Sequence, residues 1–372
     1  MLAPKNASGL LIHGVELTIA LEVECGFPVE VRKGATLIRF GLKEVDSVQL
    51  RFDPLTGAET RINPSRAHRV KQAAGEVMTQ AAMEEMGHLS RPGCPFCTDR
   101  VEESTSTFPP DMVPEGKIRQ GQSIVVPNIH PFALHHGVAI MGHQHFRRLD
   151  EFESELLTDN LLATRDFVRA AARARPRARY PVYILNYMPP SSGSIVHPHS
   201  QVWVEHRPVP DLRHILRQSR SYFQRWGRSY WDDLSAQEKR QGERFIGENT
   251  SLSVLTSFAP RGYREVQFIF KGVSSLVEVE TRQAADMAEA LRAVLLGYHA
   301  LGVGSFNLAS FSASARETPD HFRLSFRLIS RPYPTGVYTN DSGPAEKLYG
   351  FRVVDTLPEE VAASVRPYFI HR

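Results

Sequence analysis

Two histidines separated by one residue mark the most chemically informative segment of the chain, His197-Pro198-His199-Ser200-Gln201. The apolar, β-prone residues Val202-Trp203-Val204 follow, which predicts an extended segment. Residues i and i+2 of a strand share a face, so both histidines and Gln201 are predicted to project the same way. Two imidazoles on one face can bind a metal ion, act as a nucleophile, or divide those tasks. The alternative is a pair of surface histidines at a strand edge.

A second constellation is the CxxC motif Cys94-Pro95-Phe96-Cys97. Two thiolates at this spacing can bind one tetrahedral ion, and Zn²⁺ is the usual occupant. A thioredoxin-type redox pair is one alternative, but it would need a strand before the motif and a helix opening at it. Here Pro92-Gly93 precede the motif and a charged loop follows. A cysteine pair that binds nothing is the other alternative.

A metal site at this motif would need ligands from elsewhere in the chain. Cys25 is the only other cysteine, so two further ligands must be histidines or carboxylates. The candidate histidines are His135, His136, His143, His145 and His197.

The composition is that of an ordinary globular protein. The 372 residues are 42% hydrophobic and 23% charged, and the net charge of +3 is too small to indicate nucleic-acid binding. No apolar stretch reaches the ~18 residues that a membrane span needs. The N-terminus lacks the pattern of a signal peptide, and three cysteines make no disulfide framework. A cytoplasmic location without membrane or nucleic-acid partners is therefore expected.

The hydrophobic pattern predicts the helices and strands in which these motifs lie. Short strands are predicted over residues 1–50 and a helix over 72–86. Two strands within 123–142, a helix over 151–175, and strands over 181–186 and from 197 are predicted next. Helices over 208–225 and 235–248, strands over 251–258 and 264–270, a helix over 281–301, strands near 305–313 and 321–330, and a short helix near 358–366 complete the pattern.

An internal repeat is visible in this order of elements. Two strands, a helix and two more strands occur at about 123–205 and again at about 251–330, which indicates a diverged tandem duplication of an α+β unit. The second copy has His321 and the stretch to Arg327 where the first has its histidine pair. Chemistry is therefore predicted in the first copy only.

Five motifs together carry a family resemblance. They are RFDPLTGAETRINPSRAHR at 51–69, CPFC at 94–97, PNIHPF at 127–132, GHQHFRRLDEF at 142–152 and NYMPPSSGSIVHPHSQVW at 186–203. In this order and spacing the chain resembles the galactose-1-phosphate uridylyltransferase (GalT) branch of the histidine-triad (HIT) superfamily. The resemblance implies an α+β, GalT-like fold of tandem HIT-like units, with antiparallel sheets packed by helices. It covers about residues 50–205 well and 250–357 more weakly.

The resemblance also implies roles for individual residues. His199 would be the nucleophile that takes up a nucleoside monophosphate, and Gln201 would donate a hydrogen bond to the transferred phosphoryl oxygens. The structural Zn²⁺ ligands would be Cys94, Cys97, His145 and His197. The nucleotide and phosphate contacts would be Arg66, Arg69, Asn128, Asn186 and Ser194.

The departures from the family concern the acceptor. Ser200 replaces the usual glycine, and the family's second metal site has no counterpart, with Ile215, Ser325 and Arg327 near its place. The hexose-contacting glutamate is replaced in Tyr349-Gly350-Phe351-Arg352, and Pro358 lies near the place of the family's downstream glutamine. An acidic group has thus become a cation. We therefore expect an acceptor other than galactose 1-phosphate, with Arg327 and Arg352 favouring an anionic one.

Three functions are consistent with these features. The favoured prediction is a nucleotidyltransferase, or a nucleotide-sugar or dinucleotide phosphorylase, with a nucleotidyl-His199 intermediate and phosphate or a phosphorylated molecule as acceptor. The alternatives are a hexose-1-phosphate uridylyltransferase and a non-catalytic, zinc-stabilised nucleotide-binding protein. The predicted organisation is an N-terminal β-rich extension at 1–50, a first unit with the site at 51–249, and a degenerate second unit with a tail at 250–372. Family members are commonly dimers, so a homodimer is expected.

Overall fold

The computed structural model describes residues 18–22, 29–34, 48–68, 79–97, 100–332 and 341–369, the first two ranges as backbone. The strands are β1 Thr18–Glu22, β2 Val29–Gly34, β3 Val48–Phe52, β4 Glu59–Ile62, β5 Ile118–Gln120, β6 Ser123–Pro127, β7 His136–Met141, β8 Tyr180–Tyr187, β9 His199–Glu205, β10 Phe245–Glu248, β11 Leu252–Thr256, β12 Val266–Phe270, β13 Ser305–Phe311, β14 Ser325–Arg331 and β15 Arg352–Val354. The α-helices are α1 Gln80–Ser90, α2 Val101–Ser104, α3 Ser154–Ala174, α4 Pro210–Trp226, α5 Tyr230–Gln241, α6 Thr281–Ala300 and α7 Pro358–Val365.

The described strands form two sheets. The smaller has the order β1-β2-β3-β4-β15, antiparallel except that β15 runs parallel to β4. The larger has ten antiparallel strands in the order β10-β11-β12-β14-β13-β8-β9-β7-β6-β5. The predicted boundary at residue 50 falls inside β3, which pairs with strands on both sides. The division into three parts remains a prediction.

The ten-stranded sheet consists of two halves with the same order. Each half runs three strands, a long helix and two strands along the chain, with α3 in the first half and α6 in the second. The halves meet where β13 pairs antiparallel with β8. The repeat predicted from the sequence is therefore present, with one more strand before each helix. The fold is α+β with antiparallel sheets, as predicted.

The two long helices cover one face of this sheet. Helix α3 ends at Ala174 because Pro176 follows and disfavours helical geometry in the residue before it. Its buried side chains, Leu156 and Phe167 among them, share one hydrophobic core with inward residues of the sheet and of α6. On the opposite face of the second half, a separate cluster joins α4 and α5 through Ile215 and Trp231. Helices α3 and α6 thus cover the same face of the ten-stranded sheet in both of its halves.

One predicted helix is shorter than its pattern. A helix was predicted over 235–248, but α5 ends at Gln241 and Phe245–Glu248 forms strand β10. Gly242 follows the helix with φ of 77°, a left-handed conformation that suits glycine and ends a helix. Pairing of β10 with β11 then decides the strand, which is a tertiary effect that local composition does not report.

No helix in the described parts of the chain is long and apolar enough to cross a membrane.

Candidate functional site

Strand β9 gives the site its framework. Its side chains alternate, so Val202 and Val204 enter the core beneath the helices while His199, Gln201 and Trp203 face the other side. The extended segment begins at His199, two residues later than predicted, and His197 lies in the bend before it. The shared face therefore follows from strand geometry for His199 and Gln201 but not for His197.

Four predicted ligands converge beside the start of β9. One ligand atom from each of Cys94, Cys97, His145 and His197 can be chosen so that all four lie within 4.8 Å of one another, and all four residues are buried. The Cys97 Sγ lies 3.5 Å from His145 Nδ1 and 3.8 Å from His197 Nδ1. Two thiolates and two imidazoles at this separation match the donor set of a closed tetrahedral metal site. The cluster could therefore hold a metal ion.

Hydrogen bonds on the outer side of the cluster orient the imidazoles. The Nε2 of His197 donates to the Gly142 carbonyl at 3.2 Å, and the Nε2 of His145 lies 3.0 Å from Ser90 Oγ. An Nε2–H donor leaves the Nδ1 lone pair of His197 directed at the cluster, which is how metal-binding histidines are usually held. Burial lowers the pKa of His197 to about 4, so its neutral, ligating form prevails at neutral pH.

Backbone hydrogen bonds also hold the CxxC turn that carries the two cysteines. The Phe96 backbone N–H donates to Cys94 Sγ at 3.4 Å, which restrains the turn between the two cysteines. The backbone N–H groups of Arg100 and Val101 donate to the Cys97 carbonyl at 2.8 Å and 3.0 Å, where helix α2 begins. The other candidate histidines of the sequence analysis, His135, His136 and His143, are not in the cluster.

The His199 ring is held in one orientation. Its Nδ1 donates to the backbone carbonyl of His197 at 2.8 Å, and the Phe96 ring lies against it edge-on at 5.2 Å between centroids. With the proton on Nδ1, the Nε2 lone pair is the available nucleophile. Burial lowers the pKa of His199, which favours the neutral imidazole.

Gln201 is oriented by a residue whose role the sequence did not reveal. His136, at the start of β7, places its Nε2 2.9 Å from Gln201 Oε1, and Asn128 Nδ2 lies 3.5 Å from the same oxygen. Because the oxygen faces these donors, the amide nitrogen of Gln201 faces away from them. The His136 ring is packed against Phe132 at 4.5 Å and Trp203 at 5.5 Å. Only the register of β7 against β9 brings this histidine to the site, whereas sequence reasoning offered it as a metal ligand.

The remaining residues predicted to contact the nucleotide or its phosphates differ in burial and in hydrogen bonding. Asn186 is half-buried at the end of β8 and accepts a hydrogen bond from Asn307, while Ser194 is exposed in the loop before His197. Arg66 is exposed on the 3₁₀ turn Pro64–His68, and among the described residues no hydrogen bond or ion pair joins its side chain to another predicted site residue. Arg69 lies outside the described residues.

Ser200, where the family has glycine, points away from the site. Its hydroxyl donates to Asn160 Oδ1 at 2.9 Å, on the buried face covered by α3. Asn160 also accepts from the Tyr183 hydroxyl at 3.1 Å and donates to the Ala139 carbonyl at 3.2 Å. The Ser200 hydroxyl therefore anchors β9 to the helix layer from the face opposite His199.

The chain is similar to several proteins of known structure. No protein-family model matches the sequence, and an uncharacterised protein of Archaeoglobus fulgidus is 28% identical over 343 residues, 91% of this chain and 96% of the relative. A solved ADP-glucose phosphorylase from Arabidopsis thaliana with bound ADP-glucose has a TM-score of 0.66 at 18% identity, covering 86% of this chain and 98% of that one. A GalT-like protein from the same plant gives 0.65 at 17%, covering 85% and 98%, and a uridylyltransferase gives 0.62 at 20%, covering 86% and 98%.

The chain has a GalT-like fold. The fold predicted from the five motifs is thereby confirmed. At these identities the likeness to the solved structures is one of fold.

The second half of the GalT-like sheet shows what replaces the site there. Arg327 is the third residue of β14 as Gln201 is the third of β9, and Gln267 pairs opposite Arg327 as Val138 pairs opposite Gln201. Arg327 therefore occupies the position of Gln201 in the repeat. By the same register Glu265 corresponds to His136, and its carboxylate binds Arg327 Nη1 at 2.8 Å. The hydrogen-bonded pair of the first half has thus become a buried ion pair in the second.

This ion pair corrects one prediction about the acceptor. Arg327 was predicted to favour an anionic acceptor, but its guanidinium is 8% exposed and bound to Glu265, whose side chain is fully buried. Removing such a pair from water is costly, and a bound partner is what keeps the charge tolerable. Arg352, by contrast, is half-buried and lines a cleft with Arg261 and Arg331.

Proposed function

We propose that the protein transfers a nucleoside monophosphate from a nucleotide-activated substrate to phosphate or a phosphorylated small molecule, through a covalent intermediate on His199. The observation that carries the proposal is the hydrogen bond from His199 Nδ1 to the His197 carbonyl, which leaves Nε2 free to attack beside the Gln201 amide. The GalT-like fold supports this reading, because ADP-glucose phosphorylase and uridylyltransferase share it.

The reaction would take place in two displacements. In the first, the Nε2 lone pair of His199 attacks the α-phosphorus, the bond to the bridging oxygen breaks, and the leaving phosphate departs with the electron pair. In the second, an oxygen of the acceptor phosphate attacks the same phosphorus, the P–N bond breaks, and the pair returns to Nε2. The Gln201 amide would donate to the non-bridging oxygens, where charge develops.

The metal of the Cys94, Cys97, His145 and His197 cluster is proposed to be Zn²⁺. Sulfur and imidazole ligands in a closed set of four suit this ion, and such sites contribute to folding. When bound, it would link the CxxC turn to the segment that begins β9 and so restrain the backbone carbonyl on which His199 rests.

A substrate panel tests the proposal and distinguishes its alternatives. The protein is incubated separately with UDP-glucose, ADP-glucose and a dinucleoside polyphosphate, and its intact mass is measured. We expect a gain of one nucleoside monophosphate with one of these donors, and the size of the gain identifies the base. Phosphate or a hexose 1-phosphate, added next, should remove the adduct, which separates a phosphorylase from a uridylyltransferase. Nucleotide binding without adduct or product would favour the non-catalytic alternative and contradict the proposal.

Replacement of Gln201 by alanine should slow adduct formation by roughly 10²–10³, as loss of one donor to a developing oxyanion typically does. Single-turnover kinetics with the donor found in the panel measure this rate directly. Gln283→Ala is a matched control, because that amide caps helix α6 away from the site and should leave the rate unchanged. A Gln201→Ala rate within twofold of the wild-type rate would show that Gln201 does not contact the transferred phosphoryl group.

A further inference from the structure

Asn307 is a second-half residue that reaches the candidate site of the first half. It lies on β13 directly opposite Asn186 of β8, at the junction of the two halves. Its Nδ2 donates to Asn186 Oδ1 at 2.7 Å and to the Ser191 carbonyl at 2.8 Å. Its Oδ1 accepts from Arg331 Nη1 at 3.0 Å. All the polar atoms of its side chain are therefore engaged.

These contacts determine the orientation of two amides. The Ser191 carbonyl can only accept and the Arg331 guanidinium can only donate, so the nitrogen and oxygen of Asn307 can be placed in one way only. The Asn307 nitrogen in turn requires the oxygen of Asn186 to face it. The Asn186 nitrogen, with both its hydrogens, must then face away from Asn307. The donor end of Asn186 is the end that a phosphate oxygen would need.

The same amide holds the loop that leads to His199. Met188 and Ser192 both have φ of 71°, a left-handed conformation that is unusual for residues with a side chain and costs free energy. Contacts must sustain such a loop, and Ser191 supplies them. Its hydroxyl donates to the Met188 carbonyl at 2.6 Å, and its own carbonyl accepts from Asn307. Asn307 thus bridges the end of β8 and the loop beyond it.

Arg331, which donates to Asn307 Oδ1, is itself held by an ion pair. Arg331, on the neighbouring strand β14, binds Asp341 at 2.6 Å between Nη2 and Oδ1. The two terminal nitrogens of the guanidinium are therefore both engaged, Nη1 by Asn307 and Nη2 by Asp341. A carboxylate from the C-terminal region, an arginine and an asparagine from the second half, and an asparagine from the first half form one continuous chain of contacts.

We infer that Asn307 is a positioning residue for nucleotidyl transfer, which presents the Asn186 amide to the substrate phosphates and holds the 188–192 loop in place. The inference rests on the proposed function. It gives the second half a part in a reaction whose nucleophile lies in the first. Misplacement of a contacting group by about 1 Å can cost about 10² in rate, so the effect should be large even though Asn307 itself touches no substrate.

A double-mutant cycle tests this role. Asn307→Ala should slow single-turnover adduct formation by about 10–10², while Asn307→Ala in an Asn186→Ala background should slow it far less, because residues that act through one another are not additive. A residue with a purely structural role would cost the same in both backgrounds. Ser310→Ala is the matched control: it removes another β13-to-β8 contact, the acceptor of the Tyr183 N–H at 2.9 Å, and should leave the rate unchanged.

The possible outcomes separate this inference from the proposed function. A wild-type protein that forms no adduct with any donor overturns the proposed function and, with it, the premise of this inference. A wild-type adduct with equal costs of Asn307→Ala in the two backgrounds, or with an unchanged rate, overturns the positioning role alone. If Asn307→Ala fails to unfold cooperatively, Asn307→Asp is tested in its place, since it keeps the size and the Arg331 contact but cannot donate to Asn186. An Asn307→Asp rate equal to that of the wild type would likewise overturn the inference.

Discussion

His199→Ala is expected to abolish the nucleotidyl adduct and to lower turnover by at least about 10⁴, because it removes the Nε2 lone pair that is proposed to attack the α-phosphorus. The fold and the metal content should persist, since His199 is outside the Cys94, Cys97, His145 and His197 cluster. His199→Gly should regain part of the rate when imidazole is added, because the space left by the buried ring can admit it. Intact-mass measurement of the adduct is the primary readout.

Two matched histidine variants sharpen this test. His206→Ala removes an exposed imidazole just beyond β9 and should form the adduct at the wild-type rate. His197→Ala should instead reduce both the metal content and the adduct, because that ring belongs to the cluster while its backbone carbonyl holds His199. An adduct on the His199→Ala protein, or turnover equal to that of the wild type, would show that the nucleophile is another residue.

Cys94→Ser is expected to lose the bound Zn²⁺ and to lower the free energy of unfolding by about 4 kcal/mol or more, as loss of a structural metal belongs to the largest single-site effects. The cluster is buried, so removing one thiolate would leave three polar ligands without the ion that they surround. Metal analysis by plasma mass spectrometry measures the zinc, and chemical denaturation measures the stability. Activity should fall only to the extent that the backbone at His197, just before β9, loses the restraint that the metal provides.

The third cysteine provides the control. Cys25 is absent from the predicted ligand set, so Cys25→Ser should keep one zinc per chain. Prolonged exposure to a strong chelator should reproduce the Cys94→Ser stability in the wild-type protein. A wild-type protein purified without zinc, and equally stable with and without added zinc, would contradict the assignment of the metal.

The five motifs and the resemblance they carry were enough for the fold class and for the four residues of the Cys/His cluster. The five motifs predicted a GalT-like fold, and the long helices and the repeat of elements follow from hydrophobic periodicity that survives in each segment. The predicted ligands Cys94, Cys97, His145 and His197 do come together. The roles of His199 and Gln201 remain predictions, although strand alternation places both on one face.

The tertiary structure decided what depends on register and on contacts between distant segments. Strand β10 exists because it pairs with β11, although its local composition indicated a helix. His136 reaches Gln201 only through the β7–β9 ladder, and Asn307 meets Asn186 only where the two halves join, 121 residues apart. A shift of one residue in either ladder would turn these side chains to the opposite face. Sequence motifs thus predicted the residues proposed to do chemistry, whereas long-range strand pairing selected the residues that orient them.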